Sequence, residues 1–212
     1  MTRVVIEGRS GRMEAMRRPT PLGRPATWED LEDVPESHVG EIVGGELVLT
    51  PRPADPHQTV TSELGYDLMG PFGRGRGGPG GWVFRDESYI RFGVDVRAPD
   101  ISGWKKEGFS APASGPIEVI PDWVCEVLSP STAKRDRTEK VTLYAAYGIK
   151  HMWIIDPLLR VIEAFRLQGE HWLVVGVHRD ADKVRIEPFD AIELDLSVLW
   201  AKSTENLNPE DE

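Results

Sequence analysis

The amino-acid sequence predicts an α/β protein in which a mixed β-sheet is flanked by helices. Three observations favour this class. Strand-like runs rich in β-branched and apolar residues recur along the chain. Two segments repeat apolar residues at helical spacing. Strands and helices also alternate in the order strands, helix, strands, helix and strands, instead of occupying separate halves.

The length and composition indicate one principal domain. The chain has 212 residues and a mass of 23.7 kDa, which is enough for one sizeable core. Hydrophobic residues make up 40% and charged residues 28% of the chain, as in folded proteins. We expect a flexible basic arm over 1–25, a single domain over 26–200 and an acidic tail over 201–212.

Composition also excludes several protein classes. No apolar run approaches the roughly 18 residues that cross a bilayer, and we expect no secretory signal. The single cysteine, Cys125, excludes an internal disulfide and a cysteine-rich zinc site, and it indicates a reducing, cytoplasmic setting. The net charge of −10 disfavours general binding to nucleic acids but leaves a local contact open.

The first ordered elements are predicted to be a short helix and a hairpin. An acidic helix is expected over 27–33, with Thr27 as its N-cap. Two short strands follow within 40–50 and turn at Gly44 and Gly45.

A second helix and a glycine-rich segment come next. Apolar residues at helical spacing predict an amphipathic helix over 57–69, with His57 near its start. The segment 72–81 is interpreted as a mobile loop. A phosphate-binding loop is the alternative, although the Gly-Lys-Ser/Thr ending of a P-loop is missing.

The middle of the chain predicts a meander of antiparallel strands. These strands are expected over 81–85, 88–92, 96–101 and 121–128.

A third helix and three more strands complete the predicted sheet. Asp136 and Glu139 predict a capping box, followed by a helix that ends at Gly148. Strands are then expected over 151–156, 161–166 and 171–176, the last two being joined by a turn at Gln168-Gly169.

Glu126 lies in a strand that should be buried. Side chains alternate along a strand, so Glu126 shares a face with Val124 and Leu128, whereas Cys125 points the other way. An unpaired buried ion costs several kcal/mol, so this carboxylate must be paired, protonated or bound to a metal. The position of Glu126 in the strand is consistent with two interpretations. One is an ion pair with a nearby Arg or Lys, and the other is a functional role.

Asp100 is a second candidate metal ligand. It follows Pro99 near the start of another strand, and two carboxylates on adjacent strands can converge on one hard cation such as Mg²⁺. The alternative is an ordinary turn residue after proline.

Lys140 is predicted to face inward. With Leu143, Tyr144 and Tyr147 it follows the i, i+3, i+4, i+7 spacing of one helix face. A buried ammonium group needs carboxylate partners. The alternative is a lysine whose stem packs while its head reaches water.

Six stretches carry a family resemblance and together extend from about 27 to 176. They are GEIVGGELV from Gly40, PHQ from Pro56, APDI from Ala98, WVCEVLSPST from Trp123, RDRTEK from Arg135 and LYAAYGIKHMWIIDP from Leu143. They resemble the PD-(D/E)XK nuclease superfamily, and within it the Uma-two type restriction endonuclease family that is common in bacteria.

This resemblance implies a restriction-endonuclease-like fold, with an N-terminal β-hairpin and C-terminal strands added to the shared core. Asp100 matches the family's first metal-ligating aspartate, and Glu126 matches its acidic strand residue. Leu128 occupies the position where the parent superfamily has its lysine. Lys140, on the next helix, matches the relocated lysine of this branch.

The implied chemistry is metal-dependent hydrolysis. Asp100, Glu126 and the backbone carbonyl of Val127 would hold Mg²⁺ or Mn²⁺. Lys140 would orient or deprotonate the attacking water and stabilise the developing oxyanion.

Further residues are weaker candidates. Glu63 could be an additional ligand or an ordinary exposed glutamate, and His57 is expected to form local hydrogen bonds. Basic residues could contact phosphates or simply be solvated. They are Lys134, Arg135, Arg137, Lys105 and Lys106. Four tryptophans are interpreted as core or interface residues rather than base-stacking platforms. They are Trp104, Trp153, Trp172 and Trp200.

The sequence therefore predicts a Mg²⁺-dependent endonuclease that acts on DNA. A non-catalytic DNA-binding or protein-interaction module with the same fold is the alternative. Neither a Gly-x-Ser-x-Gly elbow nor a His-Glu-x-x-His zinc helix is present. A homodimer is expected from the resemblance, and neither an organic cofactor nor a membrane partner is expected.

Overall fold

The computed structural model describes residues 19–20, 23–53, 55–130 and 132–200. The predicted acidic tail lies outside these ranges, as does most of the predicted basic arm. Within the described residues, no helix combines the length and the apolar character needed to span a membrane.

Thirteen strands are found in the described residues. In chain order they are β1 (Pro19–Thr20), β2 (His38–Val43), β3 (Glu46–Pro51), β4 (Trp82–Asp86), β5 (Ile90–Phe92), β6 (Asp95–Arg97), β7 (Ile101–Lys105), β8 (Trp123–Val127), β9 (His151–Asp156), β10 (Val161–Gln168), β11 (His171–Arg179), β12 (Lys183–Val184) and β13 (Leu194–Asp195).

The helices lie between these strands. They are α1 (Trp28–Glu32), α2 (His57–Leu68), α3 (Ala133–Arg135) and α4 (Val141–Ala146). A π-helical turn over Met69–Gly73 extends α2, and another over Asp136–Lys140 joins α3 to α4. Short 3₁₀ turns lie over Lys106–Gly108 and Leu196–Leu199.

A six-stranded mixed sheet forms the centre of the fold. Its strand order is β11-β10-β9-β8-β7-β4. β8 and β9 are parallel, and every other neighbouring pair is antiparallel. The connection between the two parallel strands is the segment that contains α3 and α4, as parallel neighbours require a crossover. The predicted mixed sheet with flanking helices is therefore confirmed.

Each face of this sheet has its own hydrophobic cluster. The α2 cluster lies on one face, where Leu64 and Phe189 meet Trp123 and Trp153 of the sheet. The α4 cluster lies on the other face, around Tyr144. Of the four predicted packing tryptophans, Trp104, Trp153 and Trp200 are buried, and Trp172 is partly buried against the α4 cluster.

A second sheet has the strand order β1-β3-β2-β6-β5. Its core packs against α1, whose N-terminus has the predicted Thr27 cap in a capping box with Asp30. The predicted hairpin is present as β2 and β3, with Gly44 and Gly45 both at positive φ in the turn. Glycine has no Cβ and adopts this conformation without strain.

The predicted meander differs from the observed pairing. β5 and β6 pair with each other and join the second sheet through β2, whereas β4 pairs with β7. The predicted strand over 96–101 is divided, since β6 ends at Arg97 and β7 begins at Ile101. Pro99 cannot donate a backbone hydrogen bond, and the chain crosses between the two sheets at this point.

The predicted capping box at Asp136 is also wrong. Ala133 already starts the helical segment, and Asp136 lies inside it with helical dihedral angles and a buried side chain. Tertiary contacts of Asp136 outweigh its local preference for a helix start. The predicted stop at Gly148 is confirmed, because this glycine has a φ of 74° just after the helix.

We predict that α2 is held mainly by the side chains that it buries against the sheet. Leu64 is 0% exposed, whereas Tyr66 on the same helix is 81% exposed. Leu64→Ala should lower the free energy of unfolding by about 2–5 kcal/mol because it leaves a cavity. Tyr66→Ala is the control and should change it by less than about 0.5 kcal/mol. Equilibrium urea denaturation measures both, and equal effects would contradict this packing.

Candidate active site

A pocket opens where the two sheets meet the helical segment that follows β8. Its volume is about 40 Å³, which is room for a small ion and one or two waters. Five of its lining side chains are carboxylates, and only Arg135 and Lys140 carry a full positive charge. The carboxylates are Glu41, Glu87, Asp100, Glu126 and Asp136. The pocket is therefore largely buried and carries more negative than positive side chains.

Glu126 lies at the bottom of this pocket. It is 1% exposed, and its neighbours on β8 alternate between the two clusters as the sequence predicted. Lys140 Nζ donates a hydrogen bond to Oε2 at 2.6 Å, and the Tyr144 hydroxyl donates one to Oε1 at 2.5 Å. Both carboxylate oxygens thus have a donor, as burial requires.

Asp100 is brought to the same face of the sheet as Glu126. β7 and β8 are antiparallel with Ile101 opposite Cys125, so Asp100, one residue earlier, is opposite Glu126. Directly opposed residues have Cβ atoms about 5 Å apart. The two predicted ligands are therefore cross-strand neighbours.

The hydrogen bonds of Asp100 fix its carboxylate at the end of β8. Oδ2 accepts a 2.6 Å hydrogen bond from the backbone N–H of Val127. Oδ1 lies 3.1 Å from Nε2 of His57, at the start of α2. Because the N–H and C=O of one strand residue point to the same neighbouring strand, the Val127 carbonyl is directed to the side of Asp100.

Lys140 is surrounded by carboxylates. It is 4% exposed, and besides Glu126 its Nζ lies 3.3 Å from Oδ1 of Asp136 and 3.9 Å from Oε1 of Glu41. Asp136 and Lys140 are four residues apart in the π-helical turn, which places them on one face. The predicted inward orientation of Lys140 is confirmed.

Glu41 is a pocket residue that sequence reasoning missed. It lies on β2, where Oε1 accepts a hydrogen bond from the backbone N–H of Ala98 at 3.1 Å and Oε2 lies 2.9 Å from Arg135. Arg97 is 3.9 Å away. An isolated acid in a hairpin strand normally faces solvent, so only its place within the GEIVGGELV stretch pointed to it.

Tyr144 and Asp136 were also missed as site residues. The helical spacing did place Tyr144 on the inward face, but the partner of its hydroxyl group depends on how α4 packs against β8. Asp136 was interpreted as a cap, although the spacing Asp136 to Lys140 is a signal for an i, i+4 pair.

The other candidate site residues, which were predicted to contact phosphates or the metal, are spread over the molecule. Arg135 lines the pocket, while Lys134 is exposed nearby. Arg137 pairs with Glu163 of β10 at 2.5 Å. Three further candidates lie away from the pocket: Glu63 is partly exposed on α2, and Lys105 and Lys106 are exposed past the opposite end of β7 from Asp100.

Burial and neighbouring charges shift the pKa values of the ionisable side chains in the pocket. Burial raises the pKa of Glu126 above its ordinary value, and the carboxylates of Asp136 and Asp100 raise it further, whereas the ammonium group of Lys140 lowers it and favours the ionised carboxylate. Burial likewise raises the pKa of Asp136. Burial alone would lower the pKa of Lys140, but its carboxylate neighbours raise it well above the ordinary value. Lys140 therefore stays protonated at neutral pH.

The donor set fits a hard divalent cation. Among the described residues, no group of three or more His, Cys, Asp or Glu side chains is arranged to hold a metal ion. Mg²⁺, however, is usually bound through one or two carboxylates and keeps several waters. Asp100, Glu126 and the Val127 carbonyl satisfy that requirement, and the negative pocket favours a cation.

Comparison with known proteins identifies the family. The model of the Uma2 family, described as putative restriction endonuclease, matches residues 28–198. The chain belongs to the Uma2 family. This agrees with the resemblance predicted from the sequence, and the match contains every residue of the pocket.

A solved structure shows the same fold as this Uma2 chain. It is a crystal structure of a putative nuclease belonging to DUF820 from Anabaena variabilis. The TM-score is 0.63 at 22% identity, and the alignment covers 83% of this chain and 98% of the other. The nuclease-like fold is thereby confirmed. A comparison with curated proteins gave no match.

We predict that Glu126 makes stability depend on pH in the metal-free protein. Burial raises the pKa of its carboxyl group in the folded state above the value of 4.5 that applies to an unfolded chain. The folded state therefore binds more protons than the unfolded state as pH rises above 4.5, and the free energy of unfolding should fall over the range up to the raised pKa of Glu126. The slope is at most about 1.4 kcal/mol per pH unit.

The comparison of wild type with Glu126→Gln isolates this effect. Denaturation with a chelator present, repeated from about pH 5 to 8, should give a shallower pH slope for Glu126→Gln. Glu46→Gln, which changes an exposed carboxylate, should keep the wild-type slope. Parallel curves for wild type and Glu126→Gln would show that Glu126 is ionised throughout.

Proposed function

We propose that this Uma2 protein is a Mg²⁺-dependent endonuclease that hydrolyses phosphodiester bonds in DNA, and that Mn²⁺ can replace Mg²⁺. The observation that carries the proposal is the meeting of Asp100, Glu126 and Lys140 in one pocket. Two carboxylates from adjacent strands and a buried ammonium group are the groups that metal-assisted phosphoryl hydrolysis needs. The description of the Uma2 family as putative restriction endonuclease supports the same reaction class.

The charge of the pocket supports a metal requirement. A phosphodiester anion would be repelled by five lining carboxylates that face only two cationic side chains. Asp100, Glu126 and the Val127 carbonyl would hold the cation. When bound, Mg²⁺ would offset the charge that develops on the phosphate and lower the pKa of a coordinated water.

Lys140 is proposed to act as a fixed positive charge. Its carboxylate neighbours keep it protonated, so electrostatic stabilisation of the oxyanion suits it better than proton abstraction. The hydrogen bond to Glu126 and the ion pair with Asp136 hold the ammonium group in place without substrate. The site thus needs little rearrangement of this side chain.

Arg135 and Lys134 are the basic residues best placed to meet a phosphate backbone. Arg135 lines the pocket, and Lys134 is exposed beside it on α3. Lys105 and Lys106 follow the opposite end of β7, so they could reach only a distant part of the DNA. We propose that the local positive charge at α3 offsets the overall acidity near the site.

A non-catalytic module is the second candidate. The specific observation in its favour is that Lys140 and Glu126 already satisfy each other, with Tyr144 completing the hydrogen bonds. Such a closed pair could serve only to fix the helix against the sheet. In that case the protein would bind DNA or another protein without cutting.

We predict that cleavage of supercoiled plasmid by the wild type requires Mg²⁺ or Mn²⁺ and stops when a chelator is added. Asp100→Asn, Glu126→Gln and Lys140→Met should each lower the rate by at least about a hundredfold, since each removes one charged group from the site. Lys150→Met, at an exposed lysine paired with Asp122, should keep the wild-type rate.

Circular dichroism must show that each variant is folded, because Lys140→Met leaves carboxylates unpaired. Wild-type activity in folded Glu126→Gln and Lys140→Met would contradict the mechanism. Salt-dependent binding to duplex DNA by a wild type that never cuts would support the non-catalytic module.

We also predict a direct metal-binding phenotype. Mn²⁺ binding, measured by titration calorimetry, should weaken by more than about tenfold in Asp100→Asn and in Glu126→Gln. Glu63→Gln is the matched control, because Glu63 lies outside the pocket, and it should bind Mn²⁺ like the wild type. Weaker binding in Glu63→Gln alone would place the metal elsewhere.

A further inference from the structure

The glycine-rich segment 72–81 is folded back on the π-helical turn that follows α2. The backbone N–H of Gly80 donates a hydrogen bond to the Pro71 carbonyl at 2.9 Å. A Cβ on Gly78 would come within 2.5 Å of the Pro71 side chain, so only glycine permits this close approach. The glycines therefore give the segment a defined position against the rest of the fold.

Two exposed arginines belong to this loop. Arg74 and Arg76 flank Gly75, and both side chains are exposed. Gly75 in turn lies against Gly80, because a Cβ on Gly80 would be 3.3 Å from the Cα of Gly75. The arginines are consequently held close to the point where the chain enters β4.

Two lysines reach the same place from another part of the chain. β4 pairs with β7, with Trp82 opposite Lys105, and the backbone N–H of Lys106 donates a 2.9 Å hydrogen bond to the Gly81 carbonyl. Lys105 Nζ lies 4.0 Å from the centre of the Trp82 ring, and both lysines are exposed. The loop and the end of β7 thus form one surface with four cationic residues, which we name the basic patch. They are Arg74, Arg76, Lys105 and Lys106.

The charge of the basic patch is unusual in an acidic protein. The chain has a net charge of −10, yet the segments 72–81 and 105–108 contain these four cations and a single acid, Glu107. None of the four forms an ion pair with a side chain in the described part of the chain. Asp122, which directly precedes β8, is already paired with Lys150 at 2.7 Å. The four charges are therefore available to an anionic partner.

We propose that the basic patch binds the phosphate backbone of duplex DNA, without reading the base sequence, as a contact separate from the pocket. Lys and Arg side chains that neutralise phosphates supply nearly all sequence-independent affinity for DNA. Single strands, by contrast, are bound with aromatic side chains on which the bases stack. Trp82, the tryptophan beside the patch, is only 4% exposed and cannot stack on a base. The patch therefore suits a duplex better than a single strand.

The patch and the pocket lie at opposite ends of β7. Asp100 precedes this strand and Lys105 ends it, and five residues of strand span roughly 17 Å. A duplex rises about 3.4 Å per base pair, so a duplex that touched both places would have about five base pairs between them. The patch supplies positive charge that the carboxylate-rich pocket lacks. Binding at the patch requires no cleavage and does not depend on the proposed nuclease activity.

The test is the salt dependence of binding to a short DNA duplex of arbitrary sequence. Fluorescence anisotropy measures it with a chelator present, at about pH 8, where histidines are neutral. Each phosphate contact contributes about −0.9 to the slope of log K against log salt concentration. The double variants Arg74→Gln with Arg76→Gln and Lys105→Gln with Lys106→Gln should each reduce the size of the slope by about 1.8, and all four changes together by about 3.6.

The matched control is Arg24→Gln with Lys183→Gln. It changes the net charge as much as either double variant, at two exposed cations that are paired with acids, and it should keep the wild-type slope. A wild type that does not bind duplex DNA, or double variants with the wild-type slope, would overturn the proposal. So would an equal reduction of the slope in the control, because net charge alone would then explain the effect.

A single strand of the same length is the second probe. The wild type should bind it more weakly than the duplex, and tighter binding to the single strand would overturn the assignment to duplex DNA. A polyglutamate peptide is the third probe, and binding to it as tight as to DNA would assign the patch to acidic peptides instead. Because no step needs a metal or cleavage, this test and the plasmid assay can fail separately.

Discussion

The buried contact between Glu126 and Lys140 constrains the rest of the site. A carboxylate in a central strand is costly unless it is neutralised, and the ammonium group 2.6 Å away supplies the opposite charge. That contact fixes the rotation of the helical segment after β8. It also brings Tyr144 to the second carboxylate oxygen and Asp136 to the lysine. The helix cannot turn or slide without leaving a buried charge unpaired.

The same network joins the two sheets. Glu41 comes from the second sheet, yet it accepts a hydrogen bond from Ala98 and pairs with Arg135 of α3. The chain crosses from β6 to β7 between Arg97 and Ile101, which places Asp100 at the junction. The N-terminal hairpin is thus one wall of the pocket, and its removal would expose the charges that it now encloses.

Local patterns predicted those site residues whose position depends on one strand or one helix. Alternation placed Glu126 inward, and helical spacing did the same for Lys140. The predictions failed where contacts between residues far apart in the sequence determine the structure. The cap signal at Asp136 gave way to its pairing with Lys140, and β5 and β6 joined a sheet begun about fifty residues earlier. Glu41 has no local signal, because its partners come from other parts of the fold.

The proposed mechanism depends on one cation between the two cross-strand carboxylates. Crystals of the protein soaked in Mn²⁺ and measured for anomalous scattering test it most directly. We expect a peak in contact with both Asp100 and Glu126, on the side of the Val127 carbonyl. A peak at other residues, or an empty pocket in which Lys140 alone neutralises Glu126, would contradict it.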